Sequence, residues 1–259
     1  MIRYKTEEEI ELIRQSSLLV GKTLAEVARH MKAGVKTKTL DQIAESFIRD
    51  HNAIPGFKGY GGFPATLCIS VNEVVVHGIP GDYVIKEGDL VSIDCGVIID
   101  GYYGDSAYSF MIEPVAKEVR LLAQRTKESL YKGIEQATAG NRLGNVGYAV
   151  QSYVESFGYS VVRDLVGHGV GRDLHEKPEV PNYGRQGIGL KLQENLVIAI
   201  EPMINLGTRQ IFQERDGWTI RTADRRPSAH YEHTIVVRKG NAEVLSTFEY
   251  IEDVINKSN

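Results

Sequence analysis

Two runs of β-type residues, 90–99 and 102–112, are joined by Asp100-Gly101. An Asp-Gly pair between such runs is a strong hairpin signal, because a type I′ turn needs positive φ at both central residues. With Asp100 and Gly101 as the loop, Ile99 faces Tyr102, Gly96 faces Asp105 and Asp94 faces Ala107. Side chains alternate along a strand, so Asp94 and Asp105 share a face as diagonal neighbours, with backbones roughly 7–8 Å apart and carboxylates able to converge. Two acids at the end of apolar strands repel each other unless a shared proton, an arginine or a divalent cation lies between them. The plain alternative is a solvated hairpin with both acids in water.

The rest of the chain organises around this hairpin. Thr6 with Glu9 reads as a capping box, and Ile10, Ile13, Val20, Leu24, Val27 and Met31 follow at helical spacing. A helix is expected over 7–32, ended by Gly34. Thr39 with Gln42 is expected to open a second helix through Asp50, with Leu40, Ile43 and Phe47 inward. A glycine-rich stretch from Gly56 to Gly62 and β-type runs at 66–71 and 73–77 precede the hairpin. After Glu113-Pro114 the order repeats, with helices expected over 116–138 and 143–157. The second of these places Val146, Val150, Val154 and Phe157 on one face, and strands are expected at 159–166, 196–201, 218–221 and 232–238.

Val76-His77-Gly78-Ile79 is similar to Gly167-His168-Gly169-Val170, and the run Leu90 to Asp94 is similar to Val197 to Glu201. Each half thus reads as helix, helix, glycine-flanked histidine, then a strand ending in a carboxylate. This order points to a duplicated α+β domain with pseudo-repeats at about 6–112 and 116–239. No Pro/Ser-rich linker separates them, so a single domain over 1–259 is expected. Asn256-Lys257-Ser258-Asn259 is expected to fray.

Composition narrows the function classes. Of 259 residues, 42% are hydrophobic and 25% charged, with a net charge of −4, as in a soluble globule rather than a general nucleic-acid or membrane-surface binder. No apolar run reaches the ~18 residues that span a bilayer, and the start has no signal-peptide pattern. Cys68 and Cys95 are the only cysteines, which excludes a disulfide framework and a four-Cys zinc site and suits a cytoplasmic setting.

Three more residues join the two aspartates as candidates. His168 has a glycine on either side, which lets backbone and ligand approach closely. Glu201 ends the apolar run Leu196 to Ile200, and Glu232 stands at the mouth of Ile235-Val236-Val237. An acid in either place is expensive to bury unpaired. His175-Glu176-Lys177-Pro178 is not a zinc-binding H-E-x-x-H helix, since the second histidine is missing and Pro178 breaks the helix. No nucleophile elbow occurs. Four carboxylates and one imidazole carry too much negative charge for one ion and suit two divalent ions with shared carboxylates. Such oxygen-rich ligation favours Mn, Fe(II) or Co, with Zn also compatible.

At these residues the chain resembles the type I methionine aminopeptidases, metallopeptidases of the pita-bread fold, from about residue 2 to 250. The five positions follow one another at spacings of 11, 63, 33 and 31 residues, in the contexts Ser92-Ile93-Asp94, Gly104-Asp105, Gly167-His168-Gly169, Ile200-Glu201-Pro202 and Tyr231-Glu232-His233-Thr234. The resemblance implies a curved, mainly antiparallel sheet with helices on its outer face. It also implies two divalent ions: Asp94 on one, His168 and Glu201 on the other, Asp105 and Glu232 bridging. His77 and His175 match the family's substrate-facing histidines, and Tyr60, Phe63, Cys68, Leu174 and Trp218 match positions lining its methionine pocket. Leu174 and Phe63 stand where an aromatic and a tyrosine are common, and Phe57 where cysteine is, so fine specificity is the feature most open to change.

The implied activity is removal of an N-terminal methionine before a small second residue, by a water or hydroxide bridging the two ions. His77, His175 and Glu201 are the implied catalytic groups, with Glu201 as proton shuttle. A peptide or nascent-chain N-terminus is the implied partner, with transient ribosome contact, no specific nucleic acid, no membrane, and a monomeric enzyme. The rival readings are an X-Pro peptidase of the same fold and a metal-free binding protein of that fold. Lack of the prolidases' extra N-terminal domain weighs against the first, and retention of all five ligands against the second.

Overall fold

Thr6 and Glu9 close the capping box: the Thr6 side chain accepts from Glu9 N–H at 3.2 Å, and the Glu9 carboxylate accepts from Thr6 N–H at 3.0 Å. They open helix α1 (Glu7–His30), which buries Ile10, Ile13, Val20, Leu24 and Val27. The helix stops four residues before Gly34, which lies in the following turn with its N–H on the Ile85 carbonyl. These coordinates are a computed structural model and describe residues 1–258.

Helix α2 (Thr37–Asp50) starts three residues earlier than a Thr39 cap would place it, and its first residue is held by other means than a Thr39–Gln42 box. The N–H groups of Thr37 and Lys38 donate to the carbonyls of Tyr83 and Gly81, so tertiary contacts satisfy donors that a helix start leaves open. Its buried stripe is Leu40, Ala44 and Ile48, with Ile43 and Phe47 only half-buried, so the inward face is turned by one residue. Helices α3 (Lys117–Gln136) and α4 (Leu143–Glu155) agree with expectation apart from Phe157. That ring lies beyond α4, 46% exposed, under the Arg125 guanidinium at 4.2 Å. The helix α5 (Glu249–Ser258) takes in Asn256, Lys257 and Ser258, which the sequence reading left to fray; Asn259 lies outside the described residues.

The strands before residue 113 are β1 (Ile54–Pro55), β2 (Leu67–Val71), β3 (Val74–Val76), β4 (Leu90–Ile99) and β5 (Tyr102–Met111). Those after it are β6 (Ser160–Val161), β7 (Gly167–Gly169), β8 (Glu176–Val180), β9 (Val197–Ile200), β10 (Met203–Asn205), β11 (Ile211–Gln213), β12 (Ile220–Thr222), β13 (Ser228–His230), β14 (His233–Val236) and β15 (Glu243–Val244). One sheet runs β1-β4-β2 with β5 added on β4, and another runs β15-β14-β9-β7-β8. Every pairing in both is antiparallel. The expected run 159–166 contracts to β6, while β1, β7, β8, β10, β11, β13 and β15 have no counterpart in the sequence reading. At two to five residues each they are too short to show a period.

The hairpin forms in the expected register. Ile99 opposes Tyr102, Gly96 opposes Asp105 and Asp94 opposes Ala107, with φ of +49° at Asp100 and +79° at Gly101. Helix α1 packs on β4 and β5, and α3 on β9, β10 and β13, so the helices back the strands and leave another side for the site. One apolar core joins Leu24, Leu40, Ile93 and Phe110 to Leu122, Val150, Ile198 and Ile235. Among the described residues no helix is long and apolar enough to cross a membrane.

The hairpin and the second sheet are stitched along β5. Ser106 Oγ donates to the Glu232 carbonyl at 2.6 Å, Thr234 Oγ1 to the Asp105 carbonyl at 2.8 Å, and Glu232 N–H to the Ala107 carbonyl at 3.0 Å. Further along β5 the stitch continues to β13, which pairs with β10 in a separate sheet: buried Ser109 Oγ donates to the His230 carbonyl at 2.7 Å and accepts from His230 N–H at 3.1 Å. Ser109→Ala leaves both His230 groups unpaired, and is expected to lower the unfolding free energy by about 1–3 kcal/mol. A lower urea midpoint at unchanged slope would show it; an unchanged midpoint would deny the stitch any energetic weight.

Candidate metal centre and substrate cavity

The stitch brings the acids together. Asp94 comes from β4 and Asp105 from β5, while Glu201 directly follows β9 and Glu232 precedes β14. Because Ile200 opposes His233, Glu201 and Glu232 leave the same end of one strand pair. His168 is the middle residue of β7, which pairs with β9. The sequence reading left it outside a strand. Its flanking glycines are needed by neighbouring backbone: a Cβ on Gly167 would lie 2.4 Å from the Ala199 carbonyl oxygen, and one on Gly169 2.6 Å from that of Lys177.

All five side chains line one cavity of about 100 Å³, together with His77, His175, Tyr60, Phe57, Phe63, Cys68, Leu174 and Trp218. Donor atoms of Asp105, His168 and Glu232 lie within 4.8 Å of one another. Glu201 joins them through Oε1, 3.5 Å from His168 Nε2, and Asp105 Oδ2 lies 3.7 Å from that nitrogen. Asp94 is close enough to Asp105 for its charge to raise the pKa of that carboxyl. His168 Nδ1 is 3.0 Å from the Gly169 carbonyl. A proton on Nδ1 donates there and leaves the Nε2 lone pair facing the acids.

Electrostatics are severe. Desolvation, and then repulsion from neighbouring acids, raises the pKa of Asp105 and Glu232 well above the ordinary range, and that of Glu201 for the same reasons. Desolvation also raises Asp94, to about 7. Burial pushes His168 down to about 3, so the ring is neutral. Among the described residues, Asp94 Oδ1, Asp105 Oδ1 and Glu232 Oε1 are buried with no hydrogen-bond partner, and the only basic side chains within ion-pair distance of the four acids are histidines. Orphaned carboxylate oxygens beside a neutral imidazole are a poor resting place for protein groups and a good fit to divalent cations.

The other wall is apolar. Phe57, Phe63, Cys68 and Leu174 are buried in one cluster with Ala65, against which Trp218 packs. The rings of Phe63 and Trp218 meet edge to face at 5.2 Å. Desolvation raises the Cys68 thiol well above its usual range, so it serves as an apolar lining group. His77 stands at φ +58°, an uncommon conformation for a non-glycine residue, and burial lowers its pKa to about 4. His175 sits at the exposed mouth, its ring 4.3 Å from that of His168 and its Nδ1 2.8 Å from the Tyr60 hydroxyl.

Sequence reasoning missed His230. It is buried, with Nε2 unpartnered and 3.7 Å from Glu201 Oε2. The available signal was its place two residues before Glu232, but β13 is too short to announce a strand.

The chain matches the model of metallopeptidase family M24 over residues 11–239. It is 50% identical over 250 residues to the methionine aminopeptidase of Clostridium acetobutylicum, spanning 96% of this chain and 100% of that one. It is 47% identical over 246 residues to methionine aminopeptidase 1 of Bacillus subtilis, spanning 95% and 99%. The crystal structure of the methionine aminopeptidase from Rickettsia prowazekii matches with a TM-score of 0.94 at 44% identity, covering 95% of this chain and 100% of that one. The chain therefore belongs to the M24 metallopeptidases. Within them it groups with the methionine aminopeptidases and shares their pita-bread fold, as the resemblance implied.

The pKa shifts carry a pH signature. A carboxyl whose folded pKa is raised contributes stability at low pH that is lost as pH rises through the raised value; a histidine whose folded pKa is depressed contributes stability lost as pH falls below about 6.5. Above pH ~7.5 the histidines are nearly silent, and the acids, joined by the buried thiols as pH nears ~8.5, act in one direction. In EDTA, the melting temperature is expected to fall from pH ~7.5 to ~8.5 and Asp94→Asn to flatten the fall, whereas saturating Mn reverses the trend. A rising melting temperature in EDTA would contradict the charge cluster.

Proposed function

We propose that the chain removes the N-terminal methionine from peptides and nascent proteins, with preference for a small second residue. The observation that carries this reading is a single cavity with two unlike walls. One wall is a cluster of carboxylates with orphaned oxygens; the other is an aromatic and thiol pocket suited to a thioether. Asp94 would hold one divalent ion, His168 and Glu201 a second, and Asp105 and Glu232 would be shared. Co, Mn, Fe(II) and Zn all suit such ligands. Bound there, the ions supply Lewis acidity and a water deprotonated near neutral pH.

The chain's own groups do the rest. Phe57, Phe63, Cys68, Leu174, Trp218 and Tyr60 receive the methionine side chain and exclude water from it. His175 donates to the carbonyl oxygen as negative charge develops, and the Tyr60 hydroxyl at its Nδ1 supports that orientation. His77 faces the scissile amide and the second residue. Glu201 accepts a proton from the attacking water and delivers it to the leaving amine. The halves 6–112 and 116–239, read as repeats of one catalytic domain, each contribute ligands to this centre. Action on nascent chains places the enzyme in the cytoplasm, as a monomer in transient contact with the ribosome.

The decisive experiment is hydrolysis of a Met-Ala peptide by protein stripped with EDTA and then reloaded. Activity is expected to vanish and return with divalent metal; activity indifferent to EDTA would sink the reading. His168→Ala and Glu232→Ala should fold yet lack turnover, and His175→Ala should lose about 10²–10³ in kcat. Faster cleavage of an Ala-Pro substrate than of Met-Ala would favour the X-Pro peptidase.

A further inference from the structure

The turn bearing Leu174 and His175 is anchored by an ion pair on the side away from the cavity. Lys5 Nζ lies 2.6 Å from Glu176 Oε2, with side-chain exposures of only 4% and 5%. Neither residue lines the cavity. Glu176 opens β8 opposite Gly169, the neighbour of His168. Its Oε1 accepts from the Arg172 backbone N–H at 3.1 Å and from Arg3 Nη1 at 3.4 Å. One carboxylate therefore ties the start of the 171–175 turn to its end. Lys5 is itself fixed: its N–H donates to the Asn195 carbonyl at 2.8 Å, and Tyr4 bridges to Leu196 just before β9.

The surrounding chain makes room for the pair. A Cβ on Gly171 would fall 2.3 Å from both Glu176 Oε1 and Lys5 Nζ. Desolvation offsets much of the attraction in a buried ion pair, so its plainest use is to fix geometry. Holding the Glu176 carboxylate against Lys5 fixes the backbone next to His175, whose ring stands at the cavity mouth between His168 and Tyr60.

We propose that the segment Arg3–Lys5 is a strap that sets His175 and Leu174 against the substrate, with Lys5 and Glu176 as positioning residues. The inference rests on the aminopeptidase reading, which gives His175 the substrate carbonyl.

The test compares Lys5→Met, Lys5→Arg and the double variant Lys5→Met with Glu176→Gln, all metal-loaded, on Met-Ala peptide. Metal binding is followed by calorimetry and folding by thermal melts. Lys5→Met and the double variant are expected to lose about 10- to 100-fold in kcat, the scale of a small misplacement of a reacting group. Their metal stoichiometry and affinity should be unchanged, and Lys5→Arg should recover most of the loss. In a His175→Ala background, Lys5→Met should cost no further kcat, because its effect on kcat runs through His175, whereas its effect on Leu174 is read in KM. Full kcat in the folded double variant, a loss of metal affinity in place of kcat, or additivity with His175→Ala overturns the strap. If Lys5→Met fails to fold, the double variant decides, since it leaves no unpaired buried charge; an unfolded double variant assigns the pair a purely structural role and overturns the proposal. Wild-type protein that cleaves no Met-peptide with any divalent ion refutes the enzyme reading instead, before any variant is compared.

Discussion

Four carboxyl groups held within reach of one another, with three oxygens lacking any partner, are the constraint the rest of this structure answers to. Left to itself such a cluster would push its strands apart or draw in water. The chain prevents this by placing each acid on backbone that cannot yield. Asp94 and Asp105 sit on long paired strands, and Glu201 and Glu232 leave one end of β9 and β14. The hydroxyls of Ser106 and Thr234 join the two sheets where the acids meet, and that of Ser109 ties β5 to β13 beside them. Membership of a metallopeptidase family accords with the candidate metal-binding group found within that nest of negative charge.

The same backbone serves both walls of the cavity. Strand β4 carries Asp94 and pairs with β2, which bears Cys68 directly opposite. The link from β7 to β8 carries His168 at one end and Leu174 and His175 at the other. The candidate metal-binding side chains and the apolar lining thus share one framework. A register slip of one residue in the β4–β5 hairpin would turn Asp105 to the other face and remove the site as a unit. Strand pairing holds Asp94, Asp105 and His168, while the 171–175 turn relies on the Glu176 carboxylate.

Much of this was legible because it rests on local rules. The Asp100-Gly101 turn specified the hairpin register, and with it the diagonal of Asp94 and Asp105. The Thr6–Glu9 box specified where α1 begins. Local rules failed where a distant partner supplied what a side chain normally does. Helix α2 begins at Thr37 because the carbonyls of Tyr83 and Gly81 take its first N–H groups. Phe157 stays partly in solvent because Arg125 covers its ring.

The sequence by itself determined the hairpin, the principal helices, and the residue types able to bind a hard cation and a thioether side chain. Their identity and spacing are properties of the chain, and turn and strand geometry follow from a few neighbouring residues. Only the tertiary structure decided that the two sheets meet along β5, that His230 lies beside Glu201, and that Lys5 reaches Glu176. Those contacts join residues from 29 to 171 positions apart in the chain. No local periodicity encodes such pairings, because they arise from how buried surfaces fit and where unpaired charge finds a partner.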